Sequence, residues 1–182
     1  MADPHLLTAI IALVYAVLAT IDGVWLHLWR YQLHRHAPAE HALHTARAIL
    51  FSGVVLLLLM GWAHGPLLWF GALLALADLA LVAWDAALET RSRAFQHGLP
   101  AGEAALHTLL QALHAVVLVC AVAVRPWEVW SGAPLNEPAP GATAHLLLLL
   151  VLSGSVSIAL IHLALMHPRR TLSPLLRWPW ST

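Results

Sequence analysis

Long apolar runs alternate along the chain with short polar punctuation. Five runs reach the roughly 20 mostly apolar residues that a membrane-spanning helix needs: Leu6 to Leu28, Leu43 to Ala63, Leu67 to Leu88, Ala104 to Val124, and Leu146 to Met166. Within the first four, polar residues recur at helical spacing, and positions i, i+3, i+4 and i+7 share one face of a helix. Span 4 carries Glu103, His107, Gln111 and His114 in one stripe, and span 3 carries Asp78, Asp85 and Glu89 in another. Span 2 carries Glu40, His44 and Arg47. Span 1 has Tyr15 and Asp22 on one face, with His27, Arg30 and His34 drifting toward its edge. The remaining faces are mostly Leu, Ala and Val, which suit lipid, so the stripes are expected to face one another.

The predicted fold is an all-α integral membrane protein with five transmembrane helices. The first four form an up-down-up-down four-helix bundle over residues 1–124, because short connections favour antiparallel neighbours. A Pro- and Gly-rich external loop, 125–143, separates it from a fifth helix at 144–167. The tail, 168–182, pairs Leu175, Leu176, Trp178 and Trp180 with Arg177 and reads as interfacial. Ser153, Gly154, Ser155 and Ser157 in the fifth span suit close helix packing.

Sliding the chain along itself by 63 residues superposes its scarce polar residues without a gap. Asp22 falls on Asp85, Arg30 on Arg93, His34 on His97, Glu40 on Glu103, His44 on His107 and Thr45 on Thr108. Apolar segments match by chance, but this set seldom does. The sequence therefore predicts a duplicated helical hairpin, about 6–63 and 67–124, with both copies in the same orientation.

Composition narrows the class. Of 182 residues, 60% are hydrophobic and 10% charged, with a formal net charge of zero. Too few charges exist to coat a soluble globule, and no basic surface suggests nucleic acid. The lone Cys120 has no disulfide partner in the chain. The nine basic residues are all Arg. Arg30, Arg35, Arg47, Arg91, Arg93, Arg169, Arg170 and Arg177 fall on one predicted side, and Arg125 alone on the other. The positive-inside rule then places the N-terminus outside and the C-terminus in the cytoplasm, as in a bacterial inner membrane. Met1 to His5 has no basic n-region, so the first span is expected to remain in place.

Thirteen His stand out. All but His5, His64 and His145 fall in the predicted cytoplasmic half, beside the intramembrane acids. A charge near the bilayer centre costs about 2.5–3.5 kcal/mol on translocon scales, so these acids need compensation. Carboxylates with imidazoles point to a metal, iron first, then manganese or zinc. The predicted ligands are Asp22, Glu40, His44, Asp85, Glu89, Glu103, His107 and His114. In architecture the arrangement resembles the di-iron carboxylate centres of ferritin-like bundles. There Glu and His of one helix are three residues apart, whereas Glu40/His44 and Glu103/His107 are four apart.

The expected function is that of a dimetal redox protein or membrane oxidoreductase, with a quinone or other lipid-soluble substrate. Three alternatives stand beside it. His44 and His107 suit bis-His ligation of a b-type haem. Intramembrane Asp, Glu and His suit metal-ion or proton transport, although the polar residues thin out toward the external side. A zinc hydrolase lacks a His-Glu-x-x-His motif. The same Asp, Arg and His can also form a polar network that only fixes helix register. Arg30, Arg47 and Arg93 can pair with some of the acids, Arg91, Arg93, Arg169 and Arg170 read most simply as topology determinants, and His34, His36, His41 and His97 as residues among the head groups.

Overall fold

A computed structural model of the chain describes residues 4–132 and 140–166. The interfacial tail and the middle of the external loop lie outside the described residues. Helix α1, Pro4–Thr20, runs on without a break as a π-helix, Ile21–Arg30. A short α2, Leu33–His36, leads into α3, Pro38–Val54, which ends in a second π segment, Val55–Leu59. Then come α4, Pro66–Ser92, a 3-10 turn at Arg93–Gln96, and α5, Ala101–Ala123. Helix α6, Trp127–Ser131, is short, and α7 is Ala142–Leu165.

Five of these stretches are long and apolar enough to cross a membrane: His5–Arg30, Pro38–Leu59, Pro66–Glu89, Ala101–Ala123 and Ala142–Leu165. They match the five predicted runs. Lipid offers the backbone no partners, so each segment satisfies its own N–H and C=O groups as a helix. Proline opens α3 and α4, where its missing N–H is not needed.

The helices form a bundle in which α3 packs against α4 and α1 against α5, and α7 packs against α1 and α3 more extensively than α5 packs against α1. The sequence set span 5 apart because a long loop precedes it, yet Leu148 and Val151 of α7 belong to the common core. Ser155 of α7 also receives a hydrogen bond from Ser52 of α3, at 3.0 Å. Ser153, Gly154 and Ser157 face outward.

The interior has two halves. Toward α6 it is apolar: Ala9 and Ala12 of α1, Val54 and Leu58 of α3, Leu68 of α4 and Val117 of α5 are fully or almost fully buried there. Gly71 lets α4 approach α3 closely, since a Cβ at that position would lie 2.8 Å from the Leu57 Cβ. The α6 end is tied down by the backbone N–H of Gly65 donating to Val129 O (2.8 Å) and by Trp69 Nε1 donating to Trp130 O (3.1 Å). Arg125, the one basic residue predicted outside, is buried and donates to the carbonyls of Leu58 and Gly61. These are carbonyls that a helix C-terminus leaves without intrahelical partners. The other half, toward the turns at 31–37 and 93–100, holds most of the buried ionisable side chains.

Candidate metal centre

Four helices bring together acids and histidines that lie 63 positions apart in the sequence. His107 Nε2 lies 3.2 Å from Asp22 Oδ1 and 4.0 Å from Glu103 Oε1. His44 Nε2 lies 3.4 Å from Asp85 Oδ2 and 3.7 Å from Glu40 Oε1. Each trio takes its Asp from one helix and its Glu and His from a helix packed against it: α1 with α5, and α4 with α3. Each residue of one trio has its like residue in the other at an offset of 63, the Asp forward and the Glu and His backward.

His27 sits where the trios meet. Its Nε2 is 3.1 Å from Glu103 Oε1 and 3.5 Å from Asp22 Oδ1. Its ring packs edge-on against His44 and His107, with centroids 4.4 and 5.4 Å away. Two groups of ligand atoms therefore lie within 4.8 Å of one another, Asp22, His27, Glu103 and His107 in one and His27, Glu40 and His44 in the other. Both can hold a metal ion with nitrogen and oxygen donors.

The π-helix explains how His27 arrives there. Its i→i+5 hydrogen bonding, seen in Tyr31 N–H donating to Leu26 O at 2.8 Å, brings residues five apart onto one face. Asp22 and His27 are five apart. Under α-helical periodicity His27 turns to the edge of the stripe, which is why the sequence reading left it out of the ligand set.

Arg93, which the sequence offered both as a topology determinant and as a partner for the intramembrane acids, takes the second role: it is fully buried, with Nη2 donating to Glu103 Oε1 at 2.5 Å. The same nitrogen lies 2.8 Å from Glu40 Oε1 and 3.0 Å from His27 Nε2. Its counterpart 63 positions earlier, Arg30, is exposed over the Tyr31 ring. The Ser92 hydroxyl donates to Glu40. Tyr31, just past the first span, stands beside Arg93 and Glu103; burial, then the Glu103 carboxylate, raises its phenol above the ordinary range and keeps it protonated.

The other predicted ligands take distinct places. Glu89 Oε1 lies 2.5 Å from His107 Nδ1, so it orients that ring and leaves Nε2 toward Asp22. Asp85 faces His44 and also accepts from Arg47 Nη1 at 3.3 Å. His114 is not brought to the trios. It lies deeper, 3.2 Å from Asp78 Oδ2 and stacked on Tyr15 at 5.2 Å, with Arg47 Nε 3.5 Å from Asp78 Oδ1. His41, expected among the head groups, is buried and stacks on His162 of α7 at 5.0 Å. His36 stacks on Phe95.

Charge is unbalanced in this half. Among the described residues, Asp22, Glu40, Asp85, Glu89 and Glu103 are met by two guanidinium groups, Arg47 and Arg93. Uncompensated buried carboxylates are strongly unfavourable, so either protons or bound cations must neutralise the remainder. Comparison with family models, with curated proteins and with solved structures gives no match. The chain is a polytopic helical membrane protein with a buried Asp/Glu/His cluster able to bind a metal.

Proposed function

We propose that the chain is a membrane redox protein with a dinuclear metal centre, one ion per Asp/Glu/His trio. The observation that carries this reading is the correspondence of the trios: matching residue types, matching helix pairs and similar separations, with like residues at an offset of 63. The correspondence also supports a duplicated hairpin, each copy supplying an Asp to one ion and a Glu and His to the other. Two divalent ions would offset the excess of carboxylates. Iron or manganese suits this donor set, zinc would suit it without redox chemistry, and the membrane setting suits a lipid-soluble partner.

Two alternatives gain less support. The ring of His27 packs against both His44 and His107, where a bis-His haem would need space. Among the described residues, the buried half toward α6 is mostly apolar beyond Asp78 and His114, with His5, Thr8 and Arg125 as its buried polar side chains, which gives a transported ion little to follow. One specific observation favours a purely structural network: Arg93 Nη2 already bridges Glu40 and Glu103.

The variants His44→Ala and His107→Ala separate these readings. In protein purified from metal-replete cells, each should lose about one of the two ions of a dinuclear carboxylate centre, and the double variant both. A structural network predicts lower stability with no bound metal to lose. A Soret band that vanishes in either variant would favour haem.

A further inference from the structure

Beside the trios lies a cavity of about 230 Å³, lined by all five long helices. Its inner end is formed by Asp22, His44, Asp85 and His107, and its floor by Tyr15, Arg47 and Asp78. Its outer wall comes from α1 and α7, with Leu13, Val17, Leu150 and Ile158. Val17 and Leu150 are each 52% exposed, and Thr20 and Gly154, which also line the cavity, are exposed too. These residues sit midway along the spans His5–Arg30 and Ala142–Leu165. The mouth therefore faces acyl chains rather than water.

The chemistry of the inner surface selects a head group. Asp85 Oδ1 is buried and accepts no hydrogen bond, whereas Asp78 is taken up by Arg47 (3.5 Å) and His114 (3.2 Å). Asp22 and Glu89 add further negative charge to the lining. In the metal-free site an anionic head would be repelled, whereas a neutral head that donates hydrogen bonds meets an open acceptor at Asp85. Tyr15 and Phe51, with ring centroids 5.0 Å apart, give the same surface an aromatic wall. A flat aromatic head matches that wall.

We propose that this cavity takes up from the bilayer a neutral amphiphile with a hydroquinone-type head, held at Asp85, with its tail leaving between α1 and α7. This deepens the redox reading above and rests on it for its purpose, although the binding step itself needs no metal.

The test is equilibrium binding to full-length protein in lipid nanodiscs, with metal content measured on the same samples. Two probes share a decyl tail and differ in head: decylhydroquinone and undecanoate. Decylhydroquinone should bind at least about ten-fold more tightly than undecanoate. A Cβ at position 154 would meet nothing within 4 Å, so there is room to begin a side chain at the mouth, and Gly154→Phe is the blocking variant. It should weaken decylhydroquinone binding by about ten-fold or more with metal content unchanged, and Ala16→Phe, on the other wall, should do the same. Equal binding of the two probes, or both variants binding like the parent, overturns the inference. Binding that Gly154→Phe abolishes in a parent protein free of metal leaves the inference standing and removes the dinuclear reading. Full metal content without decylhydroquinone binding does the reverse.

Discussion

A buried imidazole has two ring nitrogens to satisfy, and His27 satisfies one of them several times over. Its Nε2 faces Glu103, Asp22 and Arg93, while its Nδ1 has no hydrogen-bond partner. Such crowding at one nitrogen is what a shared position between two ligand sets produces. His107 shows the complementary arrangement, with Glu89 on Nδ1 and Asp22 on Nε2. Metal-binding histidines commonly hold their second nitrogen against a carboxylate, and losing that partner typically costs about 10–100-fold in metal affinity. Glu89→Gln should therefore lower metal affinity by about that factor while leaving stoichiometry intact at saturating metal, as competition with a chelator would show. At this scale the sequence was informative where a polar residue recurs at an offset of 63. Glu40, His44, Glu103 and His107 stood out because each has a like residue there. His27 did not, because position 90 is Thr, and the recurrence of Arg30 and Arg93 did not reveal that only Arg93 enters the centre, since Arg30 lies over the Tyr31 ring.

Among elements, hydropathy located all five spans because a run of that length has few other uses. Its boundaries were displaced where the first helical turn is polar. The α3 helix begins at Pro38 and α5 at Ala101, ahead of the apolar runs, because Glu40 and Glu103 occupy their opening turns. The π winding of Ile21–Arg30 left no trace in residue types, since it is a choice of hydrogen-bond register rather than of composition. Its consequence is large, because it turns His27 inward. The α3/α4 pair depends on a different local feature, the missing side chain at Gly71. A Cβ there would press on Leu57 Cβ and Leu58 Cγ at 2.8 and 3.1 Å. Gly71→Ala should destabilise the protein by about 1–3 kcal/mol, the usual cost of overpacking, measurable as a lower unfolding temperature in detergent. Unchanged stability would show that α3 and α4 can separate without loss.

For the whole molecule, the division into an apolar half and a polar half gives the bundle one reactive end. We infer that this end faces the cytoplasm, since the turns at 31–37 and 93–100 lie beside it and arginines crowd the same side. In a Cys120→Ser background, an introduced cysteine at Ser131 should react with an impermeant maleimide on intact cells, and one at Gln96 only after permeabilisation. The reverse pattern would invert the topology. The place of α7 against α1 and α3 was not legible, because loop length does not say where a helix docks. The centre's purpose depends on its filling, and the most direct measurement is the metal content of the purified, full-length protein from metal-replete cells. The account predicts about two iron or manganese ions per chain, as in other bundles that pair Glu and His across four helices. A stable, fully folded preparation that holds no metal would contradict it.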